Sequence, residues 1–349
     1  MTPHPYCRRF PAISLRLKSS PDYQLHNHSQ DLDILSDQVA VMAQQELNSY
    51  FCGDYLCGGS PVSTTSYGYG HISSSYPKFS FPAADQALDA ASRKKMIDWK
   101  FRVVDHFGIP REIVATSTSV LDRFVFRHPC DRMTFKLAAI TSLYMATKVH
   151  DQGQLDLIRL ANLSKGEFIV RDIEHMESKM LRILKWRVNP VTVNSFIRAF
   201  LSCIPSTVDP LVARSIHDRA MFFAELCLYD STYIARRRSS IAVAAILNAL
   251  EGIDDSSVPS EHEFLDSLRD LCYGSMELLG EKSLEDLRED LWYIYSMSSQ
   301  YREDDMKMMA IAGEGDMEVE KQAEREVGTG AAIIYLSHSP VSVLNRKSS

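Results

Sequence analysis

From Asp31 to Phe51 the apolar positions Leu35, Val39, Met42, Leu47 and Phe51 recur at intervals of three to five residues. That spacing lines one face of an α-helix, and Ser36 and Asp37 offer N-cap side chains. The pattern predicts an N-terminal amphipathic helix within residues 31–57. A helix of this length is marginal alone, so it either lies across a larger fold or stays undocked. After Ala84 five helical patterns follow, separated by stop signals at Gly108-Ile109-Pro110, His128-Pro129, Asp151-Gln152-Gly153 and Ser164-Lys165-Gly166. A second group of about five begins near Thr192, with breaks near Pro205, Ser231 to Ser239, Gly252 to Pro259 and Gly274. Strand-type alternation is absent, so the fold class is all-α.

Three stretches fall outside these patterns. Residues 1–30 are rich in Pro, Ser, His and basic side chains, and 58–84 is a Ser/Gly/Tyr/Thr tract full of turn formers. From 301 onward apolar periodicity fades into Glu303-Asp304-Asp305 and a Met/Glu/Lys segment. Such segments bury too little apolar surface to offset the entropy of ordering. The expected organisation is therefore a flexible tail (1–30), the amphipathic helix (31–57), a flexible insertion (58–84), two helical domains (85–190 and 191–300) and a flexible C-terminal tail (301–349).

A chain of 349 residues with 45% hydrophobic content holds two domains of ordinary size. Its formal charge of -7 comes with no dense Lys/Arg face, which argues against direct nucleic-acid binding and for protein partners. The seven cysteines are scattered, an odd count that reads as reduced thiols in the cytosol or nucleus. Cys52 and Cys57, with His26 and His28 upstream, lack the second Cys pair that zinc-ligand spacing requires, so no metal is expected. The first twenty residues carry no apolar stretch of signal-peptide length, and no apolar run is long enough to span a bilayer, so no membrane association is expected. Phosphate loops, dinucleotide-binding glycines and paired catalytic carboxylates are absent. Cys130 beside His128, and Cys227, are the candidate nucleophiles of an enzymatic reading, and neither sits in a Gly-rich turn or an orienting constellation.

Arg93-x-x-x-x-Asp98-Trp99, Leu121-Asp122-Arg123-Phe124-Val125 and Leu143-Tyr144-Met145-Ala146-Thr147-Lys148 fall in order on the first three helices of the leading group. Together they resemble the first box of a cyclin. Continuing through Met176-Glu177, Leu181-Arg182-Ile183-Leu184-Lys185-Trp186 and Asn189-Pro190-Val191-Thr192, the junction looks most like D-type (G1) cyclins. In the second half, Phe222 to Asp230 and Ser239 to Ile246 resemble the second and third helices of the later box.

The resemblance implies two tandem five-helix boxes preceded by the N-terminal helix, and a regulatory subunit with no catalysis or cofactor of its own. The implied partners are a cyclin-dependent kinase, its substrates and kinase inhibitors; the implied setting is G1/S cell-cycle control in nucleus and cytoplasm. A transcription-associated cyclin and a non-activating cyclin-fold scaffold are the alternatives. Lys148 and Glu177, taken alone, are ordinary helix-surface charges. The resemblance makes them, with Met145, Val149 and Leu181, the grip on the kinase's regulatory helix, which swings a kinase glutamate toward the catalytic lysine. It makes Arg93 and Asp122 a buried structural ion pair.

The family's substrate-docking patch is altered. Ser92, Lys95, Met96 and Trp99 stand where a more apolar set is usual, although Trp99 with Met96 and Val103 also fits a simple core stripe. Arg102 and Lys136 replace an acidic and an amide side chain that receive basic Arg-x-Leu ligands, so such ligands should be repelled by about 1 kcal/mol per exposed pair. The pocket-protein motif Leu-x-Cys-x-Glu and the Arg-x-x-Leu destruction signal are missing from the N-terminal part. Arg236-Arg237-Arg238 is too short for an import signal and reads as a solvated basic turn. Ser20-Pro21, Ser60-Pro61 and Ser339-Pro340 are candidate proline-directed phosphorylation sites.

Overall fold

The structure, a computed structural model, describes residues 28–56, 88–253, 256–272 and 281–298. Among them run eleven α-helices and no strand: α1 (His28–Leu47), α2 (Ala90–Phe107), α3 (Ile113–Arg127), α4 (Arg132–Val149), α5 (Leu157–Leu163), α6 (Val170–Ile183), α7 (Val193–Phe200), α8 (Pro210–Tyr229), α9 (Arg238–Leu250), α10 (Glu261–Leu271) and α11 (Glu281–Ser296). None is long and apolar enough to cross a membrane. The 58–84 insertion, the 301–349 tail and nearly all of the 1–30 tail lie outside the described residues.

The helix ends follow local chemistry. Asp89, Asp131 and Asp156 each accept a backbone N–H at the start of α2, α4 and α5, and Ser260 with Glu263 forms a reciprocal capping box at α10. Gly108 closes α2 with φ 65°, a left-handed conformation that suits glycine.

The described chain divides into two compact units, residues 44–192 with 227–238 and residues 28–43 with 193–226 and 239–298. In the first unit, α3 is buried all round from Ile113 to Val125, with α2, α4 and α6 packed on it. Small polar residues let α3 and α4 approach closely: Ser117 Oγ meets Ser142 Oγ at 3.1 Å. An apolar cluster of Val120, Leu121, Phe124, Phe135, Ala138, Met145, Met176 and Met180 joins α3, α4 and α6.

In the second unit, α9 is buried from Ile241 to Ala249, and Phe223, Trp292 and Tyr295 bring α8 and α11 together edge to face. Arg288 ties this unit's helices, donating to Asn248 Oδ1 at 3.0 Å and Glu261 Oε1 at 2.9 Å while its own carbonyl accepts from Asn248.

Four sequence expectations shift. The first helix begins at His28 and stops at Leu47, and residues 48–56 continue as non-helical chain. Ser36 is therefore mid-helix and caps nothing; its hydroxyl donates to the Leu271 carbonyl at 2.9 Å. Val39 and Met42 of the predicted stripe are buried, whereas Leu47 is exposed. Trp99 is half-buried beside half-buried Met96, so only Val103 of that expected stripe lies in the core.

Candidate protein-docking site

Lys148 occupies the last turn of α4 and Glu177 the middle of α6. The packing of α4 on α6 brings them together, and Lys148 Nζ donates to Glu177 Oε1 at 2.6 Å. The ammonium also lies 4.9 Å from the Tyr144 ring centroid, a cation-π contact. The lysine side chain is 50% exposed and the glutamate 16%, so water screens the pair and it contributes about 0 to 1 kcal/mol to the fold. Its value is positional: it holds two opposite charges at an apolar margin made by half-buried Val149 and Leu181 over buried Met145.

Just past α6 stands a residue whose exposure the sequence reading missed. Trp186 is 73% exposed, and it and Lys185 adopt left-handed backbone with φ 61° and 51°. Two consecutive non-glycine residues in that region cost about 1 kcal/mol or more each. The turn is secured by Trp186 N–H donating to the Leu181 carbonyl at 2.9 Å. An exposed tryptophan on strained backbone is the composition of a binding anchor.

Arg93 on α2 holds Asp122 on α3 through both carboxylate oxygens, at 3.0 and 2.8 Å. It also donates to the Leu228 carbonyl at 2.7 Å. Burial works against the Arg93 charge, but the Asp122 carboxylate outweighs it and holds the pKa above its ordinary value. Tyr55 O–H donates to Asp122 Oδ1 at 2.7 Å, and burial, then Asp122, pushes that phenol well up.

Two turns along α2 from Arg93 lies Lys100, also unnoticed in the sequence. It is fully buried, and its Nζ has no hydrogen-bond partner among the described residues. Burial pushes the ammonium down to about 7, with Asp122 acting upward and Arg93 downward.

The altered docking patch on α2 and α4 is less cationic than the sequence suggests. Lys95 is exposed, but Arg102 bonds Asp98 at 2.8 Å and Lys136 bonds Glu167 at 2.9 Å. Both cations thus have internal carboxylate partners, which reduces the repulsion expected of unpaired charges.

The thiols weighed as nucleophiles are suppressed. Burial raises Cys130 to about 12 and Cys227 well above its ordinary value, so neither carries thiolate near neutral pH. Cys52, weighed as a zinc ligand, is likewise buried and pushed to about 12. Cys57 and His26 lie outside the described residues.

Residues 71–189 match the family described as Cyclin, N-terminal domain, and residues 191–276 match Cyclin, C-terminal domain. The chain is similar to G1/S-specific cyclin-D1 of Mus musculus, 22% identical over 241 residues that cover 69% of this chain and 80% of that protein. It is similar to G1/S-specific cyclin-D1 of Danio rerio, 25% identical over 225 residues, 60% of this chain and 76% of that protein. Among solved structures, a viral cyclin from herpesvirus saimiri superposes with a TM-score of 0.49 at 16% identity, covering 60% of this chain and 86% of that one.

Proposed function

The chain belongs to the cyclin family, and on that premise we propose that it binds and activates a cyclin-dependent serine/threonine kinase in cell-cycle control at G1/S. Cyclins are regulatory subunits rather than enzymes, and the suppressed thiols accord with that. The observation that carries the reading is the Lys148–Glu177 pair at the apolar margin of Met145, Val149 and Leu181. A fixed cation and anion orient the kinase's regulatory helix, and the apolar surface, extended by Trp186, supplies affinity. The helix is then held where its own glutamate completes the phosphoryl-transfer site. Similarity to G1/S-specific cyclins supports the phase assignment, and action in nucleus and cytoplasm follows from that role.

The test is to purify the chain with candidate cyclin-dependent kinases and to measure co-elution and kinase activity, then repeat both with Lys148→Ala and Glu177→Ala. The reading expects stable activation that either substitution abolishes while the protein stays folded. Absence of binding to every kinase tried would reduce the chain to a cyclin-fold scaffold.

A further inference from the structure

Leu287, Leu291, Trp292 and Tyr295 of α11 are buried in the second unit. At about 100° per residue they share one side of the helix. On the opposite side Asp286, Tyr293 and Met297 fall within an arc of about 40°. All three are exposed, Tyr293 and Met297 at 58% each. Met297 N–H donates to the Tyr293 carbonyl at 3.2 Å, so the helical geometry carries past Ser296 and sets the two side chains one turn apart. Exposed Glu289 and Asp290 flank that line, one on each side. Arg288, the one cation among the described side chains of 283–298, turns away from it. Its side chain is 11% exposed and is bonded to Asn248, Glu261 and Glu285.

A single exposed apolar side chain is ordinary on a protein surface. Here a tyrosine and a methionine, types enriched where proteins meet, stand together beside three carboxylates, and α11 turns its own described cation inward. We propose that this stripe docks a basic amphipathic segment of a partner protein, with its apolar side chains on Tyr293 and Met297 and its Lys or Arg side chains facing Asp286, Glu289 and Asp290. An amphipathic helix laid along α11 meets both requirements, since its apolar and basic positions recur at the same spacing. The sign of the charge selects the occupant. Nucleic acid and anionic lipid surfaces bring negative charge and are repelled. A second copy of the chain would set one acidic stripe against another. The stripe belongs to the second unit, whereas Lys148 and Glu177 belong to the first. The inference therefore stands independently of the kinase reading.

The probe is a fluorescent synthetic peptide as long as α11, built of Lys and Leu so that the leucines line one face. Its binding to the full chain is read by fluorescence anisotropy. At low salt the peptide should bind, and Tyr293→Ser with Met297→Ser should weaken binding about tenfold. Asp286→Lys should weaken it about fivefold and flatten its salt dependence. All three side chains are exposed, and an unchanged melting temperature shows that each variant is folded. A peptide with Glu in place of Lys should stay unbound, and spermine, which brings charge without an apolar anchor, should compete weakly. Equal affinity of parent and Ser variant overturns the proposal. So does a Glu peptide that binds as tightly as the Lys peptide, or spermine that displaces the peptide at matched charge. Sedimentation velocity is read on the same samples: a dimer that the Ser variant loses, with no peptide bound, replaces the partner segment by a second copy. Kinase co-elution should survive all three substitutions. Its loss in the Ser variant would make the stripe part of the kinase interface and overturn the separate partner.

Discussion

Arg93 and Asp122 face each other across α2 and α3 in a two-pronged bond, and neither side chain is more than 8% exposed. Because the Asp122 carboxylate also accepts from Tyr55, one acid satisfies a cation from α2 and a phenol from the segment after α1. Asp122→Ala leaves both donors buried without their acceptor. A loss of about 3 to 5 kcal/mol is expected, read as a lower urea midpoint. A change under about 1 kcal/mol would mean that the pair contributes little.

Lys100 makes stability depend on pH. Its folded pKa, about 7, lies below the 10.5 of an exposed lysine, so between those values the unfolded chain binds a proton that the folded chain does not. Stability should therefore rise with pH across this window, by about 1.4 kcal/mol per unit from this group, and level off below it. Arg123 adds the same sign above about 9. Denaturant titrations between pH 7 and 9 isolate Lys100, and Lys100→Met should flatten the slope and raise stability at pH 7. A slope unchanged by the substitution would contradict the assignment.

Trp186 sets fold and binding in opposition. Trp186→Gly relieves a left-handed backbone and removes an exposed side chain, so the melting temperature should hold or rise, by up to about 1 kcal/mol in stability. Kinase affinity should fall by about 2 kcal/mol, measured by calorimetry. A parallel loss of both would make the indole a structural element.

Basic Arg-x-Leu peptides should bind weakly, since the α2 and α4 patch offers Lys95, Arg102 and Lys136 where acceptors are needed. Arg102→Glu places an acid at that edge, and a gain of about fivefold in peptide affinity is expected from one exposed charge reversal. Tight binding to the unmodified chain would refute the altered-docking reading.

The helical plan was legible because it rests on local signals. Gly108, His128-Pro129, Asp151-Gln152-Gly153 and Ser164-Lys165-Gly166 stop helices through backbone chemistry that any neighbour obeys, and four of the first five helices of the leading group end there. Ser36 was misread as a cap because its acceptor, the Leu271 carbonyl, is 235 residues away. Lys100 escaped notice because a lysine in an amphipathic helix marks the wet face by pattern, and only tertiary packing on α2 dries it. The Arg102 partner, Asp98, lies one turn earlier and was readable; the Lys136 partner, Glu167, lies 31 residues on and was not. The Trp186 exposure depends on two φ angles that no apolar pattern encodes.

Tyr55 and Leu88 both pack against the apolar cluster of the first unit, so the stretch between Leu56 and Leu88 starts and finishes at pinned points. For a loop with fixed ends, closure entropy grows only with the logarithm of its length, about 0.6 kcal/mol for each doubling. An insertion between those two anchored residues therefore costs the fold little, so a fluorescent reporter or affinity tag spliced there leaves the cluster they pack against to fold as before.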